Sequence, residues 1–124
     1  MISPTAIIDK QVRYGKGCAF DDFVIVGKQT SSGADPFGET VLGDDCKIRS
    51  HSVIYANNII GHRFTTGHHA IMRDGNEIGG DVSLGSLSII EFKVSVGDRV
   101  RIHSQAFVPE YCELASGAWI GPGV

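Results

Sequence analysis

The sequence predicts an all-β solenoid, a parallel β-helix built of short strands and corners. Three observations predict it: a composition of turns and β-branched residues, a strict six-residue repeat, and two positions of that repeat that stay apolar or small. Glycine takes 16 of the 124 residues, against a usual share of about 7%. Isoleucine and valine number 14 and 11, and leucine only 4. Helices favour Leu and avoid Gly, so this balance points to strands interrupted by many turns.

From Val41 to Val124 the chain divides into fourteen hexads with no insertion or deletion, beginning VLGDDC KIRSHS VIYANN IIGHRF TTGHHA. The second position is aliphatic or Met in all but one hexad, from Leu42 and Ile48 through Met72, Ile78 and Ile90 to Ile120; the exception is Thr66. The sixth position is mostly small, as in Cys46, Ser52, Asn58, Ala70, Asn76, Ser88 and Ala106. These two positions lie two residues apart across the hexad boundary, so they share one face of a strand, the interior. Gly recurs at the third position (Gly43, Gly61, Gly67, Gly79, Gly85, Gly97, Gly121), where it is expected to ease a tight bend at the corner. A six-residue period fits neither a 3.6-residue helix nor a hairpin sheet, and hexapeptide repeats are a β-helix signature.

Towards the N-terminus the signal continues in another phase. Ile2, Ile8, Tyr14, Phe20 and Val26 are six apart, with Ala6, Val12, Cys18 and Val24 at the companion small position. The phase breaks within Lys28 to Thr40, KQTSSGADPFGET, whose Gly, Pro, Ser and Asp read as a loop thrown out of the solenoid. The pattern resumes afterwards, so a single domain over residues 1–124 is expected.

Other classes are disfavoured. A formal charge of −3 supplies no basic stripe for nucleic acid. No apolar run approaches the ~18 residues of a membrane span, and MISPTAIIDK lacks the pattern of a secretory signal. A cytoplasmic location is the expectation. The three cysteines, Cys18, Cys46 and Cys112, fall on inward positions with no CxxC spacing, which reads as buried thiols serving as small hydrophobes.

The [LIV]-G-x-x-x-x hexads resemble those of the hexapeptide-repeat acyltransferases, over nearly the whole chain outside the loop. The resemblance implies a left-handed parallel β-helix. Three hexads make one triangular coil, so about six coils here form a prism roughly 25–30 Å tall. Residues 18 apart then stack. Gly43, Gly61, Gly79 and Gly97 form one corner column; Arg49, Gly67, Gly85 and His103 a second; Tyr55, Arg73, Glu91 and Pro109 a third. Arg73 and Glu91 become vertical neighbours of opposite charge. Asn58 and Asn76 stack as an inward amide ladder, and His51 stacks on His69.

Within that family the stretch from Ile48 to Gly121, including TTGHHAIMRDGNEIG and IIEFKVSVGDRVRIH, looks most like the nucleotide-amino-sugar N-acyltransferases of bacterial surface-polysaccharide pathways. That resemblance implies acyl transfer to an amino or hydroxyl group of a nucleotide-linked sugar. It implies acetyl-CoA or another acyl-CoA as co-substrate, no permanently bound cofactor or metal, and a homotrimer with the donor between subunits. A His acts as general base, which suits imidazole near neutral pH. His69, His68 and His103 are the candidates for that role, with Glu91 as a carboxylate partner; Arg73, Asn57 and His51 are candidates for substrate binding. Two features depart from the pattern. Some of these enzymes carry the base directly after a V-I-E-like stretch, whereas Ile89-Ile90-Glu91 is followed by Phe92. They also continue for several coils beyond a G-P-x-V segment, where this sequence stops at WIGPGV, so the chain reads as ending mid-solenoid. A non-catalytic or truncated scaffold that only assembles is the alternative. A γ-carbonic-anhydrase-like zinc protein is a weaker one, because its H-x-x-x-x-H pair is missing; a zinc site from His51, His69 and a partner chain is its remnant.

Overall fold

The computed structural model describes residues 1–29 and 38–124. Its strands form three parallel six-stranded sheets. The first sheet contains Ile7–Ile8, Ile25–Lys28, Val53–Tyr55, Ile71–Met72, Ile89–Ile90 and Phe107–Val108. The second contains Val12–Tyr14, Thr40–Leu42, Ile59–Ile60, Glu77–Ile78, Ser95–Val96 and Glu113–Leu114. The third contains Ala19–Phe20, Lys47–Ile48, Thr65–Thr66, Ser83–Leu84, Arg101–Ile102 and Trp119–Ile120. The chain visits the sheets in turn, so each coil contributes one strand to each, and six triangular coils make a left-handed β-helix. The described residues contain no helix, and so none long and apolar enough to cross a membrane.

The repeat explains the register. Ile71 pairs with Val53 and Ile89, and Leu84 with Thr66 and Ile102, each 18 residues away. Second- and sixth-position side chains meet inside, where Leu42, Ile48, Phe64, Met72, Val82 and Ile90 are fully enclosed. Thr66 is buried too. Its hydroxyl accepts the Arg49 N–H at 3.0 Å and meets the Ser52 hydroxyl at 3.3 Å, so the one polar second position is a satisfied core group.

Three expectations change in detail. The bend is not at the third position. Every fifth position from Asp45 to Gly123 has positive φ, including His51 (63°), Asn57 (64°) and His69 (55°), whereas none of the third-position glycines does. Those glycines answer to the neighbouring coil instead. A Cβ on Gly61 would lie 2.7 Å from the Gly79 carbonyl carbon, and one on Gly85 2.4 Å from the Ser104 nitrogen. The asparagines do stack, but they bond the backbone rather than each other's side chains. Asn58 Oδ1 accepts the Asn76 N–H and Asn76 Oδ1 the Val94 N–H, while both amide nitrogens donate to the Arg73 carbonyl at 2.7 and 2.9 Å. Finally, the loop expected at 28–40 falls mainly, at residues 30–37, outside the described residues, yet its length resets the register across it. Val12 pairs with Thr40 and Ala19 with Lys47, an offset of 28. Cys18 and Cys46, which have no 18-residue relation, are therefore stacked, and both thiols donate to the Gly43 carbonyl, at 3.2 and 3.5 Å. Burial, with Cys18 alongside, pushes the Cys46 thiol up to about 11, so Cys46 is not an activated nucleophile.

Candidate functional site

The triangular section has three edges, and the polar residues divide among them. The edge between the third and first sheets carries His51, His68, His69 and His103. The edge between the first and second sheets carries Tyr55, Asn57, Arg73, Asp74 and Glu91. The edge between the second and third sheets carries His62 with Asp44, Arg63, Asp81 and Asp98. The prism thus gathers four of the five histidines on one edge and sets Glu91, Arg73 and Asn57 on another, with the first sheet between them.

On the histidine edge the hexad phase fixes each ring. His51 and His69 occupy fifth positions in adjacent coils, where the left-handed backbone turns their side chains outward. Their rings lie 4.7 Å apart and 15° from parallel, and Phe23 adds a third ring 5.1 Å from His51. His68 sits at the fourth position. Its Nδ1 is 2.8 Å from the Ser50 hydroxyl, and its own N–H donates to the Ser86 hydroxyl at 3.0 Å. This hydroxyl contact was hidden in the sequence, although the offset from Ser50 to His68 is the same 18 residues that stack His51 on His69. His103 is two coils away. Its ring meets Trp119 edge-on at 4.3 Å, and its Nε2 is enclosed with no hydrogen-bond partner among the described residues. Beside His103 lies a shallow groove of about 290 Å³, lined by Gly67, Ser83, Gly85, Ser86, Ser104 and His103. Glycines at the third position keep its floor at backbone level.

On the next edge Arg73 is the hub. Its guanidinium lies 4.9 Å over the Tyr55 ring, 3.8 Å from Glu91 and 3.7 Å from Asp74. The vertical Arg73–Glu91 pair expected from the columns is present. Asn57 packs against Gly38, where its amide occupies the space a Cβ would need. Phe92, in place of an imidazole, meets Tyr111 edge-on at 5.7 Å.

The remaining edge is occupied with holding coils together. Asp44 donates its N–H to His62 Nδ1 at 2.8 Å, Gly80 to Asp98 at 2.8 Å, and Asp98 to the Ser116 hydroxyl at 2.9 Å. Arg63 grips Asp81 through two bonds of 2.6 and 2.9 Å, and that hydrogen bonding holds the Asp81 carboxyl below the usual carboxylate range. His62 accepts a backbone N–H, so its neutral ring keeps its proton on Nε2. Among the described residues no three His, Cys, Asp or Glu side chains gather closely enough to hold a metal ion.

No protein-family model and no curated protein matches the sequence. Solved structures do match the fold. A histidine-to-alanine variant of GDP-perosamine N-acetyltransferase from Caulobacter crescentus, in complex with CoA and GDP-perosamine, superposes with a TM-score of 0.81 at 21% identity, over 97% of this chain and 52% of that one. PerB from Caulobacter crescentus, with the same two ligands, gives 0.52 at 18% identity over 97% and 53%. A UDP-N-acetylglucosamine acyltransferase gives 0.53 at 19% identity over 94% and 68%. The chain thus spans about half the length of the first of these structures. At this identity the likeness is one of fold, and the left-handed β-helix of hexapeptide repeats is what the chain shares with these acyltransferases.

Proposed function

We propose that the chain is part of an acyl-CoA-dependent acyltransferase, most simply an acetyltransferase, acting on an amino or hydroxyl group of a nucleotide-linked sugar. The observation that carries this reading is the superposition over 97% of the chain on an N-acetyltransferase holding CoA and GDP-perosamine. The histidine edge supplies the chemistry. A general base must keep one ring nitrogen free and its ring oriented by the other. His68 meets that need when Nδ1–H donates to Ser50, leaving the Nε2 lone pair free to take the acceptor's proton as it attacks the thioester. His69, stacked on His51, is the second candidate, and His103, which lines the groove, the third. Arg73 and Asn57 would bind the acceptor, with Glu91 holding Arg73. A homotrimer working in the cytoplasm, with acyl-CoA as substrate rather than resident cofactor, completes the reading. One observation favours the non-catalytic alternative: Phe92 packs on Tyr111 at the corner where some of the resembling enzymes place their base.

The test is calorimetric titration of the 124-residue chain with acetyl-CoA, with its solution mass measured on the same sample. Release of CoA thiol is then followed with GDP-perosamine as the probe acceptor. Saturable binding by a trimer is expected. A trimer that binds no acetyl-CoA would replace the enzyme reading with the scaffold.

A further inference from the structure

The repeat is interrupted once, and the interruption brings two thiols together. Ala19 pairs with Lys47 and Phe20 with Ile48, an offset of 28 where the coils elsewhere keep 18. Cys18 and Cys46 precede those partners, and the Ala19 N–H donates to the Cys46 carbonyl at 2.8 Å. The two cysteines therefore stand side by side on adjacent coils, both turned inward. Both thiols donate to one acceptor, the Gly43 carbonyl, at 3.2 and 3.5 Å, and the two sulfurs interact with each other. Adjacent strands lie about 4.8 Å apart, inside the Cα separation of about 4.4–6.8 Å that a disulfide needs. Cys112 has no such neighbour: it precedes Glu113, which pairs with Ser95, so the residue beside it is Val94.

We propose that Cys18 and Cys46 form a peroxide-oxidisable dithiol site, which closes to a disulfide joining the first and second coils of the folded chain. The proposal stands on this geometry and does not rest on the acyl-transfer reading. Burial chooses the oxidant. Cys18 is 5% exposed and Cys46 0%, so a small uncharged molecule, hydrogen peroxide, can reach sulfur where a bulky charged disulfide cannot. Burial also sets the order. Cys18, the less enclosed, reacts first. Its sulfur attacks one peroxide oxygen, the O–O bond breaks, and Cys18 sulfenic acid forms with a water that carries away the thiol proton. The Cys46 thiol, kept protonated by burial, then attacks the Cys18 sulfur. The S–S bond forms, the S–O bond breaks, and the hydroxyl leaves with the Cys46 proton as a second water. Two thiols have lost two electrons and one peroxide has gained them. The Gly43 carbonyl loses both thiol donors but still accepts the Gly15 N–H at 3.3 Å, so it is not left unpaired. The new bond closes a ring over the interruption, a longer ring than one 18-residue coil would give, and longer rings constrain the unfolded chain more.

Peptide mapping of the folded 124-residue chain tests this. The chain is treated with hydrogen peroxide in native buffer, alkylated in denaturant and digested with trypsin without reductant. Cutting after Lys16, Lys28 and Lys47 puts Cys18 and Cys46 on separate peptides, so their bond appears as one linked species. That species is expected, with Cys112 absent from it. The melting temperature should rise by roughly 10 °C and return with dithiothreitol. Alanine fits the sixth position, as Ala70 and Ala106 do, so single variants should fold. Cys46→Ala should stop at Cys18 sulfenic acid, captured by dimedone, whereas Cys18→Ala leaves Cys46 a thiol. Neither should show the rise in melting temperature, and Cys112→Ala should show all of it. Survival of both thiols at a peroxide dose that oxidises free cysteine would overturn the proposal. So would a bond to Cys112, a bond between chains, or a Cys18–Cys46 bond that forms only in urea.

Discussion

The two histidine-bearing edges use the same corner geometry for different ends. Both have their third-position glycines under the next coil, and both turn their fifth positions outward through a left-handed residue. They differ at the fourth position. On the His62 edge that position caps backbone: Asp44 N–H enters the imidazole at 2.8 Å, and Asp98 and Ser116 repeat the device. On the other edge the fourth-position Ser86 likewise caps the His68 N–H at 3.0 Å, but the His68 ring meets a hydroxyl at 2.8 Å instead of a backbone donor. The same side chain is a structural acceptor on one edge and the proposed base on the other, and what separates them is which group binds Nδ1.

The largest effect expected from that difference is on turnover. His68→Ala should lower acyl transfer by about 10²–10⁴-fold, the usual worth of a positioned general base, with the melting temperature unmoved because the ring is exposed. His62→Ala should leave turnover unchanged. Initial rates with acetyl-CoA, taken together with thermal melts, would show it. A His68→Ala enzyme at full rate moves the role to His69, then His103.

A second experiment probes what the edges share. Gly79→Ala and Gly85→Ala should each destabilise by about 1–3 kcal/mol, since the new methyl overpacks rigid backbone; its Cβ would lie 2.8 Å from the Gly97 carbonyl carbon and 2.4 Å from the Ser104 nitrogen respectively. Gly80→Ala, with nothing nearer than 3.9 Å, should be near neutral. Urea melts of the three variants give the comparison. A tolerated Gly85→Ala would mean that the histidine edge is looser than the His62 edge, and the floor of the groove with it.

Much of this was legible in the chain. Six-residue spacing demands strand and corner, and the apolar second position demands an interior, so Ile78, Ile90 and Ile102 could be placed without coordinates. The His51–His69 stack and the Arg73–Glu91 pair followed from the coil length that the family resemblance supplied. The left-handed fifth position did not show, because Asp45, Asn57, Arg63, Leu87 and Tyr111 share no side-chain property there; the backbone, not the residue type, carries the feature. The third-position glycine was visible and its reason was not, since close approach of another coil leaves the same mark as a bend. Cys18 over Cys46 was concealed by the loop, whose ten extra residues break the arithmetic. The split of the candidate site over two edges was legible as well, because the 18-residue columns already set His103 apart from Arg73 and Glu91.

The smallest effect concerns His62. Replacing it with Ala frees the Asp44 N–H at an exposed corner, where water can take over the bond. A typical net hydrogen bond contributes about 0.5–1.5 kcal/mol, and exposure places this one at the low end. His62→Asn should restore most of the loss, because its amide oxygen can accept from the Asp44 N–H, while His62→Lys should not, because an ammonium has no acceptor. Chemical denaturation of the three variants separates acceptor from size. If Lys proved as stable as His, the ring would be acting by packing alone, and the distinction drawn between the two edges would rest on His68 and Ser50 only.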